Sequence, residues 1–292
     1  MSMVIDAHQH FWDPARADYP WMQGQAMAPI RRAFGPSDLG PLLAENGVDA
    51  SIIVQCRASL DETMDFLRIA DTTPFVAGVV GWVDLKERSV GDTLARLRDL
   101  PGGKRLVGIR HQVHDENDPE WLLRDEVQRG IATVLAHGLA YDLLVRTREL
   151  PAAIATARTF PQGRFILDHA AKPPIAEGLS REWTDRMTAL AASGNVWCKI
   201  SGLATEAKWD DWDASRLFPA VSHAAKCFGE DRLIFGSDWP VCLLAGSYGA
   251  IKRALDECLV RLGGGFRSKA LGANARHAYR LTIPSTARTP MA

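Results

Sequence analysis

Two histidines separated by one residue, His8 and His10, lie near the start of the chain, directly after the apolar residues Val4 and Ile5. Side chains of a β-strand alternate between its two faces, so both imidazoles point the same way if this segment is a strand. Such a pair can hold a divalent metal or serve as acid and base. A short surface strand with two solvated histidines shows the same pattern, so the pair alone does not decide.

The elements that would position these histidines are eight short apolar runs. Most are continuous stretches of Val, Ile and Leu, which is typical of parallel strands buried on both faces. The runs cover residues 4–7, 51–55, 75–82, 106–112, 141–145, 165–168, 196–201 and 233–237.

Helix signals lie between the runs. Residues 61–70 open with an acidic first turn, and Asp118 with Pro119 predicts the N-cap and first position of a helix that ends near Gly138. Further helices are predicted at 213–228, 247–262 and 268–280. Eight strands alternating with helices predict an α/β protein, a single (β/α)8 TIM barrel. The alternative, a doubly wound open sheet, usually has a Gly-rich turn after its first strand, and this chain does not.

A long segment after the first strand, residues 13–34, is rich in Pro, Trp and Met and too irregular for a helix. We expect a structured loop that acts as a lid or fills the rim of the barrel. No repeat or linker divides the chain. We therefore expect a barrel domain over residues 1–282, closed by a C-terminal helix, and a flexible tail over residues 283–292.

Composition excludes several classes of function. The 292 residues carry a formal net charge of −1 with no basic stripe, which argues against nucleic-acid binding. No apolar run approaches ~20 residues, so no membrane span is expected. The five cysteines are widely spaced and lack C-x-x-C patterns, which predicts reduced thiols in a cytoplasmic protein. A homo-oligomer is compatible with this sequence but is not indicated by it.

The carboxyl ends of the predicted strands repeatedly carry polar or aromatic residues. Active sites of (β/α)8 barrels lie at that end, and a barrel without a site has no reason to place such residues there each time. The residues at these positions are His8, His10, Arg57, Trp82, Arg110, His111, Arg146, His169, Lys199, Asp238 and Trp239.

Four of these residues, His8, His10, His169 and Asp238, form a plausible metal set or a metal-free acid/base cluster. Asp238 is our candidate general base, with His169 as its catalytic partner. Two simpler interpretations remain: His169 as a core histidine, and Asp238 as the N-cap of the following turn. The predicted substrate-binding residues are Trp21, Arg57, Trp82, Arg110, His111, Lys199 and Trp239. For Lys199, which follows a buried strand, a salt bridge within the site is the alternative, because a buried ammonium without a partner is costly.

Several motifs resemble the amidohydrolase superfamily, in particular its sugar-lactonase branch. They cover residues 4 to about 280 and are Asp6-Ala-His-Gln-His-Phe-Trp12, Tyr19-Pro-Trp21, Val80-Gly-Trp-Val-Asp84, Gly108-Ile-Arg-His-Gln-Val113, Leu167-Asp-His169 with Lys172-Pro173, Cys198-Lys-Ile-Ser-Gly-Leu203 and Phe235-Gly-Ser-Asp-Trp-Pro-Val-Cys-Leu243. The resemblance implies a barrel hydrolase that opens a sugar lactone such as L-fucono- or L-rhamnonolactone. It also implies an active site built on His8, His10, His169 and Asp238.

The chain departs from the metal-rich members of that superfamily, which place a bridging Lys or Glu after the fourth strand and a His after the fifth. Here the fourth strand ends in Arg110 and His111, and the fifth is followed by Arg146. We therefore expect one divalent metal, zinc, or none. A muconolactone-type lactonase, a metal-dependent decarboxylase and a catalytically inactive binding barrel remain as alternatives.

Overall fold

Eight parallel strands form one sheet in which each strand pairs with the next along the chain. The computed structural model describes residues 3–282. The strands are β1 (Ile5–Gln9), β2 (Ala50–Val54), β3 (Val76–Gly81), β4 (Leu106–His111), β5 (Ala140–Leu143), β6 (Phe165–Leu167), β7 (Val196–Lys199) and β8 (Leu233–Ile234).

The sheet closes on itself where the residues after β8 meet β1. The amide of Ala7 donates to the carbonyl of Phe235 at 3.1 Å, and the amide of Asp238 donates to the carbonyl of His8 at 2.8 Å. Gln9 and Trp239 then form a parallel bridge. The predicted (β/α)8 barrel is confirmed, and this closure brings the first and last strand ends side by side.

An α-helix follows each strand. These helices are α1 (Pro36–Glu45), α2 (Leu60–Thr72), α3 (Val90–Asp99), α4 (Asp125–Ala136), α5 (Leu150–Thr159), α6 (Arg181–Ala191), α7 (Ala214–Phe228) and α8 (Tyr248–Leu262). The caps inferred for α7 and α8 form: the side chains of Asp213 and Ser247 accept hydrogen bonds from the amides of Arg216 and Ala250. No helix within residues 3–282 is long and apolar enough to cross a membrane.

Two of the predicted segments differ in detail. The helix expected from Pro119 begins at Asp125 instead. Asp118 is not its N-cap, because its carboxylate accepts from the amide of Glu120 and from the Arg124 guanidinium in a separate turn. The C-terminal helix expected over 268–280 is interrupted, with a π-helical segment at Lys269–Ala273.

The segment after β1 carries two short 3-10 helices, Pro20–Met22 and Gln25–Ile30, and otherwise lacks regular structure. Its aromatic residues pack onto the barrel, and Phe34 contacts Trp239 with ring centroids 5.3 Å apart. The loop therefore covers the closure between β1 and β8. Its action as a lid stays a prediction, as does the domain boundary at 282. The tail predicted over 283–292 lies outside the described residues.

Candidate active site

Three imidazoles surround one carboxylate oxygen at the carboxyl end of the barrel. The Oδ1 atom of Asp238 lies 3.7 Å from His8 Nε2, 3.3 Å from His10 Nε2 and 4.0 Å from His169 Nε2. All four residues are at most 5% exposed. Segments that are distant in sequence thus meet at one point, and the residues predicted from the strand ends are brought together.

Hydrogen bonds on the far side of each ring orient the three imidazoles. His10 Nδ1 lies 2.7 Å from the carbonyl oxygen of Val54, which can only accept, so this nitrogen carries the proton. His169 Nδ1 pairs with the Ser201 hydroxyl at 2.9 Å, and His8 Nδ1 lies 3.3 Å from Asp168 Oδ1. Each Nε2 is thereby turned toward Asp238.

The pairing of His10 with Asp238 requires a positive charge between them. With its proton on Nδ1, a neutral His10 presents a lone pair on Nε2 to the carboxylate oxygen 3.3 Å away. Two lone pairs repel at that distance, so either a second proton on the imidazole or a cation must lie between the atoms. The three imidazoles and Asp238 are therefore arranged to hold one additional positive charge, either a proton or a metal ion.

A fully buried charge network lies against the histidines. Lys199 Nζ is 2.7 Å from Asp142 Oδ2 and 2.9 Å from Asp168 Oδ1. Arg110 Nη1 is 2.9 Å from Asp168 Oδ2 and 3.2 Å from His8 Nε2. The positive charges of Lys199 and Arg110 neutralise the negative charges of Asp142 and Asp168. The negative charge of Asp238 is therefore stabilised mainly by the imidazoles.

This environment separates the pKa values of the carboxyl groups. Burial raises the pKa of Asp142. Burial acts in the same direction on Asp168 and Asp238, but Lys199 and His8 outweigh it at Asp168 and hold that pKa well below its usual range. His169 and His10 likewise lower the pKa of Asp238. Asp238 is therefore ionised and able to accept a proton.

The backbone at two site residues is left-handed. Four consecutive residues after β6, His169–Lys172 in sequence order, have φ between 49° and 58°, and Asp238 has φ of 59°. A left-handed conformation costs a non-glycine residue roughly 1–2 kcal/mol, so the surrounding structure must hold this turn in place. The buried indole of Trp183 does so by donating to the carbonyl of Ala170 at 2.9 Å.

A glycine provides the space for two of the site's side chains. Gly202 has φ of 63°, and a Cβ atom at this position would lie 2.6 Å from His169 Nδ1 and 3.0 Å from Asp238 Oδ2. Any larger residue would displace one of these groups. Gly202 is therefore required both by its own backbone conformation and by the close packing of the site.

The remaining predicted substrate-binding residues lie in three separate places. Trp82 donates through Nε1 to His111 Nδ1 at 3.0 Å, and His111 Nε2 donates to Glu116 at 2.7 Å, so these side chains form a chain at the ends of β3 and β4. Trp239, by contrast, is 1% exposed and packs under the loop. Their contacts with substrate stay predictions.

Trp21 and Arg57 lie together beside the loop after β1. Trp21 Nε1 donates to the carbonyl of Cys56 at 3.0 Å, and Arg57 Nε lies 3.6 Å from the buried carboxylate of Glu62. Burial raises the pKa of Glu62 to about 7. Arg57 and Glu62 also line a cavity of about 390 Å³ under the loop, and none of the three histidines or Asp238 lines that cavity. Arg57 therefore borders this cavity, and its substrate contact stays a prediction.

Known proteins resemble this chain over nearly its whole length. The amidohydrolase family model matches residues 5–281. The chain belongs to the amidohydrolase family. It is 45% identical to an L-fucono-1,5-lactonase of Burkholderia ambifaria over 98% of both chains, and 39% identical to an L-fucono-1,5-lactonase of Burkholderia multivorans over 98% of this chain and 99% of that one. A crystal structure of an amidohydrolase from Burkholderia multivorans with bound zinc superposes with a TM-score of 0.90 and 38% identity, covering 96% of this chain and all of the other.

The donor set of this amidohydrolase fits one divalent ion. Neighbouring donors of a tetrahedral zinc site with bonds of ~2.0–2.1 Å lie about 3.3 Å apart, close to the separations around Asp238 Oδ1. A second group of potential ligands, His8, Asp168 and His169, also comes together. Both oxygens of Asp168, however, already lie within 2.9 Å of a cationic side chain. The site therefore fits one metal ion better than two.

Sequence reasoning missed several residues of this site. Asp142 and Asp168 hold Lys199 and Arg110, yet neither acid was given a role: Asp142 was part of an apolar strand pattern, and Asp168 was noted only as a strand end. A salt bridge was one expectation for Lys199, since a buried ammonium requires a partner, but its carboxylates were not identified. Gly202 and the left-handed turn left no sequence pattern that we could interpret.

Proposed function

We propose that this amidohydrolase opens the ester ring of sugar lactones, with L-fucono-1,5-lactone as the preferred type of substrate. The observation that carries the proposal is the ionised Asp238 carboxylate facing three imidazoles, in a chain 45% identical over its length to an L-fucono-1,5-lactonase. Ester hydrolysis needs a base for water and positive charge near the carbonyl oxygen, and this cluster offers both.

The reaction proceeds in two proton transfers at Asp238. Its carboxylate takes a proton from water as the water oxygen forms a bond to the lactone carbonyl carbon. The resulting tetrahedral species collapses, the bond from carbon to the ring oxygen breaks, and Asp238 returns the proton to that oxygen. The product is an open-chain hydroxy acid, which ionises and releases a proton to the solvent.

Positive charge at the cluster stabilises the developing oxyanion. Arg110 lies 3.2 Å from His8 Nε2 and keeps a fixed cation at the site. When bound by His8, His10, His169 and Asp238, a zinc ion supplies Lewis-acid polarisation of the lactone carbonyl. We propose zinc because the ligands are nitrogen and oxygen atoms at suitable separations.

A panel of lactones tests the proposal. Acid release in a weakly buffered pH indicator is followed with L-fucono-1,5-lactone, L-rhamnonolactone, a muconate-type lactone and an aromatic carboxylic acid. We expect turnover of the sugar lactones. Turnover of the muconate-type lactone alone would overturn the substrate assignment, carbon dioxide from the aromatic acid would favour a decarboxylase, and no reaction at all would favour a binding protein.

The location and assembly of the enzyme remain predictions. All five cysteines are free thiols, in keeping with the cytoplasmic location predicted from their spacing. We propose a cytoplasmic role in carbohydrate catabolism on this basis and on the substrate class. The homo-oligomer allowed by the sequence is not tested by these observations.

A further inference from the structure

A charged pair, Lys172 and Glu206, lies on the loops that follow β6 and β7. Lys172 Nζ donates to Glu206 Oε1 at 2.7 Å, and the two side chains are 16% and 21% exposed. Loops after strand carboxyl ends form the active-site face of a barrel, so the pair lies on that face. The two loops are also joined through the backbone, because the amide of Ala176 donates to the carbonyl of Glu206 at 3.0 Å.

The left-handed turn holds Lys172 near the catalytic cluster. The amide of Lys172 donates to the carbonyl of His169 at 2.8 Å, which closes the turn. The backbone of Lys172 is thereby fixed next to that of His169. Burial is the largest influence on both pKa values: it lowers the pKa of His169 and raises that of Asp238. Lys172 lowers both pKa values, as expected for an ammonium close to the site.

We propose that Lys172 and Glu206 form the subsite that binds two neighbouring hydroxyl groups of the lactone ring. The ammonium donates to one hydroxyl oxygen, and the carboxylate accepts from the adjacent hydroxyl. A lone cation would favour an acidic substrate, whereas a donor and an acceptor side by side carry no net charge and match an uncharged diol. This proposal rests on the proposed sugar-lactone function. It names the residues that distinguish a lactone with several hydroxyl groups from a hydroxyl-free lactone or an acidic one.

Two single variants, Lys172→Met and Glu206→Gln, test this subsite with L-fucono-1,5-lactone. Hydrogen bonds to charged groups are individually strong, and an interaction made equally in ground and transition states changes KM rather than kcat. We expect KM to rise roughly 10- to 100-fold with kcat within about threefold of wild type. The double variant should lose little more than either single variant, because both residues bind one diol. Lys172→Arg should recover much of the loss.

The hydroxyl-free control is δ-valerolactone, a lactone of the same ring size, measured as a substrate and as a competitive inhibitor. Its kinetic constants should change less than about threefold in all variants. Lys269→Met provides the protein control, since Lys269 pairs with Glu230 in the segment before β8, at the opposite end of the barrel. This variant should match wild type with both lactones.

Failure of the subsite and failure of the function give different results. If wild type hydrolyses no sugar lactone, the proposed function is wrong. If wild type is active but Lys172→Met loses both lactones equally through kcat, Lys172 acts in the chemical step or in folding and the subsite is overturned. Unchanged KM for L-fucono-1,5-lactone in Lys172→Met and Glu206→Gln would also overturn it.

Discussion

Replacing Lys199 by methionine removes the one ammonium that Asp142 and Asp168 share. Its Nζ lies 2.7 and 2.9 Å from the two carboxylates, and the side chain is fully buried. Removing one member of a buried ion pair leaves an uncompensated charge and costs about 3–5 kcal/mol. For a chain of 292 residues that corresponds to a thermal midpoint lower by roughly 5–8 °C. We expect that loss at pH 8.

The destabilisation should become smaller as the pH falls. Burial already raises the pKa of Asp142, and Lys199 opposes that rise. In Lys199→Met the folded-state pKa of Asp142 rises further, so between that value and the unfolded value near ~4 the folded state binds more protons than the unfolded state. Its stability therefore increases toward acid relative to wild type.

Thermal and urea unfolding of wild type, Lys199→Met and Lys269→Met at pH 8 and pH 5.5 measure this effect. Lys269 pairs with Glu230 and Asp231 near the surface, where water screens the charges, so its loss should change the unfolding midpoint little at either pH. A Lys199→Met midpoint within about 2 °C of wild type at pH 8 would refute the buried-pair reasoning. A penalty that grows toward pH 5.5 would refute the assignment of the proton to Asp142.

Three further predictions concern the site itself. Asp238→Asn should stay folded with kcat lower by about 100-fold or more, and wild-type turnover in the folded variant would end its role as general base. Gly202→Ala places a Cβ 2.6 Å from His169 Nδ1, so we expect kcat to fall about 100-fold and the free energy of unfolding to fall by about 1–2 kcal/mol. A wild-type kcat together with a wild-type free energy of unfolding would contradict this geometry. Elemental analysis should find one zinc per chain, and two equivalents would contradict the pairing of Asp168 with Lys199 and Arg110.

The fold and the central cluster could be predicted because parallel barrels have strong local signals. Continuous apolar runs marked all eight strands, and the rule that sites lie at strand carboxyl ends then selected His8, His10, His169 and Asp238. The weakest element shows the limit of this reasoning. The run at 233–237 was expected to be a strand throughout, yet only Leu233–Ile234 is assigned as β8. The residues after it turn toward β1, where closure of the barrel determines their path.

Partners that are distant in sequence could not be predicted in the same way. Lys199 was expected to form a salt bridge in the site or to contact substrate, but its carboxylate partners, which come from β5 and from the end of β6, were not foreseen. Which side chains meet inside the barrel depends on strand register, which single-residue patterns do not specify. The predicted start of the helix at Pro119 was wrong for a related reason. Asp118 accepts a hydrogen bond from the amide of Glu120 in a tight turn, and the helix begins only at Asp125.

The left-handed turn after β6 explains why the cluster depends on residues that never touch it. Four residues in that conformation cost roughly 1–2 kcal/mol each, a sum comparable to the whole stability of many proteins. The turn therefore persists only because contacts from other elements hold it, among them the hydrogen bond from the Trp183 indole to the carbonyl of Ala170. Since the same turn positions His169, loss of such a contact should first appear as a misplaced imidazole and only afterwards as unfolding. Activity and local stability are thus coupled at this turn through the backbone.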